Sequence, residues 1–135
     1  VTHEGEYYEI RNAVLDPKPV QDLYPKLLFG STGKRMLELT GRYADICFIP
    51  PWAEENTHKI RETVLTSAKK AHRMDEVEFM VGPMRGPSPY NSDEYHQLVE
   101  RAEKSDATYY NTAFPRDTFI ESMKEFAKEV MPSFK

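Results

Sequence analysis

The chain has 135 residues with 18 Lys and Arg against 22 Asp and Glu, a formal net charge of -4, and 39% hydrophobic residues. That balance suits one soluble globular domain, and without a clustered basic excess it argues against nucleic acid as a partner. No apolar run approaches the roughly 20 residues of a membrane helix and no basic-then-apolar signal opens the chain, so no membrane partner and a cytoplasmic setting are expected.

The lone cysteine, Cys47, lies in an apolar run and is expected to be a buried, inert thiol. His3, His58, His72 and His96 are scattered, none at a metal-ligand spacing, so no metal site is expected. The first residue is Val, from which translation is expected to begin upstream.

Residues 5–11, rich in strand-forming aromatics, read as a short strand or hairpin, and the prolines at 17 and 19 make the next stretch an extended linker, so that residues 1–24 form one unit. The remainder, 25–135, alternates. Residues 26–30 suggest a strand; 34–43 a helix with Met36, Leu37, Leu39 and Tyr43 at helical spacing; 45–49 a second strand. Residues 54–73 suggest a long helix facing inward with Ile60, Val64, Leu65, Ala68 and Ala71, and 77–81 a third strand. Ser92 is the expected cap of a helix over 93–104; 108–114 is the fourth strand, and 117–130 the last helix, striped by Phe119, Ile120, Met123, Phe126, Ala127 and Val130.

Four strand-helix units imply an α/β protein with parallel strands and right-handed crossovers. A doubly wound open sheet and a (β/α)8 TIM barrel both satisfy the pattern, but a complete barrel takes about 250 residues, so four units make half of one. Half a barrel exposes unpaired strand edges and an uncovered inner face. Either the chain is part of a longer protein, or a second copy or partner chain closes it.

In both folds ligands bind where strands run into helices. The loop Gly30, Ser31, Thr32, Gly33 combines two glycines, two hydroxyls and a following helix N-terminus, which together suit an anion such as phosphate, although a simple Ser/Thr cap fits the same residues. It is not a Walker loop, which needs four residues between its glycines. Trp52, after the second strand, is a candidate pocket wall, with covering of the core as its plainer role. The long segment 82–90 carries Arg85, a candidate anion contact. Tyr110 or Asn111 is placed to reach a site at the same end, with structural burial as the plainer role of the tyrosines. No catalytic residue is identified, because no Ser-His-Asp or Cys-His arrangement falls within one layer.

The run EGEYYEIRNAVLDPKPVQ, then PKLLFGSTGKRMLELTGRYADICFIP, resembles the bacterial-luciferase-like superfamily, where a G-x-Y-Y segment, a P-K-P-V-Q linker, a strand ending in a Gly/Ser loop and an A-D strand recur in this order. The closing FPRDTFIESMKEFAKEVMPSFK is similar to that superfamily's final helix. The branch with methylenetetrahydromethanopterin reductases is the nearest in pattern. The resemblance implies the C-terminal half of a (β/α)8 barrel, with Gly30, Ser31, Thr32 and Gly33 near the cofactor phosphate. It implies an oxidoreductase moving a hydride between coenzyme F420, or alternatively FMN, and an organic substrate such as a tetrahydropterin or a carbonyl compound, inactive without the other half. The rival expectation is a non-catalytic half-barrel that self-associates and binds a phosphate-bearing ligand. Both make the chain a homo-oligomer or the partner of a missing N-terminal half.

Overall fold

The structure, a computed structural model, describes residues 1–14, 16–22 and 24–134. Among the described residues six short strands and four α-helices succeed one another: β1 (His3–Glu4), β2 (Glu9–Ile10), β3 (Leu28–Gly30), α1 (Lys34–Tyr43), β4 (Ile46–Phe48), α2 (Thr57–Lys70), β5 (Glu78–Val81), α3 (Ser92–Lys104), β6 (Tyr109–Tyr110) and α4 (Phe119–Glu129). β1 and β2 pair antiparallel with His3 opposite Ile10, and the Gly5 amide donates to the Tyr8 carbonyl to close the hairpin. Tyr7 and Tyr8 therefore occupy its tip, exposed, rather than a strand.

The second sheet is wholly parallel, in the sequential order β3-β4-β5-β6. Ile46 stands opposite Leu28 and Glu78, and Val81 opposite Tyr110. Because side chains alternate along a strand, Cys47, Phe79, Val81 and Tyr110 share one face while Ile46, Glu78, Met80 and Tyr109 share the other. The first face is covered. Leu37 of α1 and Ile60, Val64 and Ala68 of α2 pack with Cys47, Ile49 and Phe79 into one buried core. Sequential order with helices on a single face is barrel-like winding; the open doubly wound alternative reverses its strand order and places helices on both faces.

α1 and α2 meet so closely that a Cβ on Gly41 would collide with the Val64 carbonyl and stand 2.8 Å from the Ala68 nitrogen. Ser67 reinforces the contact by donating its hydroxyl to the Glu38 carbonyl at 2.7 Å. Below it, Asp45 joins three elements: one carboxylate oxygen accepts from the Leu27 amide at 2.8 Å, and the other from Arg73 at 3.2 Å. Arg73 reaches it because α2 stops abruptly, with His72 in the left-handed region and the Arg73 amide returning to the Ala68 carbonyl.

Several expected details shift. Pro51 starts a 3₁₀ turn, Pro51–Asn56, so α2 begins only at Thr57, and Ala71 beyond its end is exposed. Asn91, not Ser92, caps α3 by accepting from the Glu94 amide at 3.1 Å. On α4, Phe119, Ile120 and Met123 stay 40–49% exposed while Ser122 is buried. The uncovered face of the sheet holds a polar cluster at the strand starts: Lys26 pairs with Glu78, and the Tyr109 hydroxyl donates to the same carboxylate at 3.0 Å. Hydrogen bonding to Lys26 lowers the Glu78 carboxyl, and the same bond raises Lys26.

Three outcomes are expected. Gly41→Ala lowers stability by about 2–3 kcal/mol, since helix backbones rather than side chains must move, as thermal or denaturant unfolding will register. Cys47, whose thiol burial pushes up to about 11, resists iodoacetamide in the native protein and reacts on unfolding. A group lowered in the folded state stabilises above its ordinary value and stops doing so as it protonates; the destabilisation by Glu78→Gln at neutral pH should therefore shrink as pH falls below 4.5, the ordinary value.

Candidate functional site

The parallel order brings all four strand-to-helix connections to one rim: the loop after β3, the turn after β4 and the segments after β5 and β6. At the first of these, Gly33 precedes α1 without a side-chain cap, and the first turn of the helix carries no acidic residue. Its leading amides therefore lack the acceptor a capping side chain supplies and face outward with the positive end of the helix dipole. Ser31 adds a hydroxyl that is buried yet completes no hydrogen bond. An orphaned buried hydroxyl costs about 1–3 kcal/mol unless a ligand offsets it.

The two glycines act differently from expectation. Gly33 has an ordinary extended backbone, φ -78°, and a Cβ there would meet nothing within 4 Å, so neither conformation nor packing demands glycine. What the missing side chain leaves is space beside the helix amides. Gly30 is snugger, with Phe48 3.4 Å from a would-be Cβ. Lys34 and Arg35 start the helix and are exposed. The orphaned hydroxyl, uncapped amides and free space fit a phosphate, and no cluster of three or more His, Cys, Asp or Glu side chains converges among the described residues.

A second concavity opens between the segments after β5 and β6, about 480 Å³ in volume and lined by Met84, Arg85, Gly86, Ser88, Phe114, Pro115 and Arg116. Arg85, the candidate from the long segment, lines this concavity. Arg116 joins it from the neighbouring segment; nothing in its local sequence sets it apart from other surface arginines. The long segment 82–91 is held down rather than loose. Gly82 sits at φ 142°, a conformation L side chains rarely adopt, against Asn111, while Gly86 lies directly on the Ala113 carbonyl. Tyr95, fully buried, donates to that same carbonyl at 2.7 Å and packs among Tyr90, Phe114 and Phe126, with ring centroids 5.1–5.6 Å apart. Of this cluster, Phe114 lines the concavity together with the two arginines.

The structure brings Arg85 and Arg116 together but not the Ser31 loop with them. Loop and concavity lie at strands two and three positions apart, roughly 10–14 Å at the usual strand spacing. Trp52 is 72% exposed, so it does not cover the core, and it does not line the concavity with Arg85 and Arg116. Tyr110 turns to the helix side, its hydroxyl pushed up to about 12 by burial, a rise that the neighbouring Thr112 hydroxyl only tempers. Asn111 donates to the Pro83 carbonyl at 3.3 Å. Among the described residues no helix is long and apolar enough to cross a membrane.

Comparison with known proteins is consistent in both sequence and shape. Phthiodiolone/phenolphthiodiolone dimycocerosates ketoreductases of Mycobacterium tuberculosis and Mycobacterium bovis are 38% identical over 103 residues, 74% of this chain but only 26% of theirs. The solved structure of coenzyme F420 dependent tetrahydromethanopterin reductase from Methanopyrus kandleri superposes with a TM-score of 0.71 at 15% identity, covering 100% of this chain and 58% of that one, a likeness of fold. The chain thus spans about a quarter of the length of the curated relatives it matches. The luciferase-like monooxygenase family matches residues 1–103, with the hairpin, the 30–33 loop and the Arg85 segment included, leaving β6 and α4 to the structural likeness alone. The chain belongs to the luciferase-like monooxygenase family.

Proposed function

We propose that this chain is the cofactor-gripping C-terminal portion of an oxidoreductase of the F420-dependent reductase-like branch, acting on a carbonyl compound or a tetrahydropterin. The observation that carries the reading is Ser31: a buried hydroxyl with no partner, next to an uncapped helix start from which Gly33 withholds a side chain. Coenzyme F420 is the preferred cofactor, supported by the coenzyme dependence of the structural neighbour, and FMN is the alternative, since it too carries a phosphate.

When bound, such a cofactor supplies or accepts the hydride. The chain's own residues bind and orient. Ser31 and Thr32 donate hydroxyls and the first amides of α1 donate N–H groups to the phosphate; Gly33 keeps the approach open. Arg85 and Arg116 hold an anionic part of the cofactor or substrate beside Phe114, and Trp52 offers an exposed flat surface for a planar ring. The ketoreductase relatives favour a carbonyl substrate.

The sheet's open face favours a further statement about partners. Leu28 is 46% exposed on it, beside the Lys26–Glu78–Tyr109 cluster, so a preceding set of strand-helix units or a second copy covers this face in the working protein. The rival reading, a half-barrel that only self-associates, shares this requirement but not the coenzyme.

Fluorescence titration of the chain with coenzyme F420 and with FMN tests the assignment. Saturable binding is expected, competed by inorganic phosphate. Gly33→Asp should weaken it at least tenfold and Ser31→Ala about tenfold, with thermal midpoints within a few degrees of wild type. Unchanged affinity in both variants overturns the assignment to this loop, and a stable oligomer that binds neither coenzyme favours the rival.

A further inference from the structure

The concavity between the segments after β5 and β6 is ligand-sized, about 480 Å³ against the roughly 300–1,000 Å³ usual for small-molecule sites. Its charge is of one sign. Arg85 and Arg116 reach it from the two segments, and among the described residues no Asp or Glu lines it. Arg11, Arg61, Arg73 and Arg101 each pair with a carboxylate. Arg85 and Arg116 are exposed and pair with none among the described residues. Two like charges at one opening repel, and an anion between them turns that repulsion into attraction.

The two segments are clamped together. A Cβ on Gly86 would stand 1.9 Å from the Ala113 carbonyl oxygen and 2.3 Å from the Tyr95 hydroxyl, so the chain next to Arg85 lies directly on the chain leading to Arg116. The Asn111 side-chain amide, donating to the Pro83 carbonyl at 3.3 Å, joins them a second time. The backbones that carry the arginines are thus positioned before a ligand arrives, which lowers the ordering cost of binding. The remaining lining decides the class of anion. Met84, Phe114 and Pro115 are apolar, and Ser88 supplies one hydroxyl. A small inorganic ion gains nothing from such walls, whereas an acid with a carbon body buries that body against them. The donors are planar forks, which match the two oxygens of a carboxylate. The phosphate of the proposed cofactor is served at the Ser31 loop, roughly 10–14 Å away at the usual strand spacing, too far for one group to satisfy both.

We infer that the Arg85–Arg116 concavity anchors the substrate and that the substrate is an organic acid: a carbonyl compound whose carboxylate lies between the two guanidinium groups, its apolar body against Met84 and Phe114. The inference rests on the oxidoreductase reading and narrows its substrate to an anionic one, assigning the arginine pair to the substrate and the Ser31 loop to the cofactor.

The test titrates the 135-residue chain, labelled at its Met methyls, with phenylpyruvate and with phenylacetone, which keeps the ring and ketone but lacks the carboxylate. Phenylpyruvate is expected to bind saturably and move the Met84 methyl, and phenylacetone to bind at least tenfold more weakly. Arg85→Gln and Arg116→Gln should each weaken phenylpyruvate about fivefold and leave phenylacetone unchanged. Both side chains are exposed, so the variants keep the fold, which the other Met methyl signals verify. Coenzyme F420 titrated into the same variants should bind within twofold of wild type. Equal binding of the two probes, no response at Met84, or variants that lose coenzyme affinity rather than phenylpyruvate affinity overturn the inference, the last leaving the Ser31 loop assignment intact. A wild-type chain that binds phenylpyruvate as expected but neither coenzyme supports the arginine site and overturns the loop assignment alone.

Discussion

The close crossing of α1 on α2 at Gly41 is the constraint on which the rest of the structure depends. With the helices' backbones touching there, Leu37, Val64 and Ala68 reach the same patch of sheet, over Cys47 and Phe79, and the core forms on one face only. A one-sided core has two consequences. It leaves the opposite face bare, with Lys26, Glu78 and Tyr109 satisfying one another. It also winds every unit in the same sense, so that each strand delivers its connection to one rim. The polar motif Asp45–Arg73 locks the far end, where a carboxylate shared by Leu27 and Arg73 keeps β3 in place although that strand is short and at an edge.

The rim is then where the chain departs from ordinary helix construction. Folded proteins pair nearly all their buried polar groups, yet Ser31 leaves its hydroxyl unpaired there, as Tyr90, Tyr110 and Thr112 do elsewhere among the described residues. α3 is the described α-helix whose start a side chain caps: Asn91 accepts from the Glu94 amide and acidic residues fill the first turn. α1, starting beside Ser31, has neither, and α2, which continues a 3₁₀ turn, has neither as well. What sets the start of α1 apart is the buried Ser31 hydroxyl beside it and the open space at Gly33.

Much of this is legible in the residues. Periodicity locates all four strand-helix units, because apolar residues at alternate and helical spacing reflect the same one-sided burial that the structure shows. The buried state of Cys47 agrees with the apolar run around it. Elsewhere local reading loses to tertiary context. Ser92 and Asn91 are both good caps, and only the path of the chain decides between them. Trp52 suits a core by its size, but the 3₁₀ turn begun by Pro51 swings it outward. The half-exposed stripe of α4 reflects a helix packed mainly on α3 and its aromatic cluster rather than on the sheet. Arg116 gains meaning only because β5 and β6 are adjacent, information that pairing rather than composition holds. The glycines of the loop suggest backbone freedom, whereas the structure uses Gly33 for vacancy.

The central claim is that the main-chain amides at the start of α1, with Ser31, grip the negative end of the cofactor. Residue-resolved hydrogen exchange with and without saturating coenzyme F420 tests it most directly. The account predicts strong slowing at Thr32, Gly33, Lys34 and Arg35, with the amides at the start of α3 unaffected. Protection that skips this loop, or that appears first at the start of α3, would contradict it.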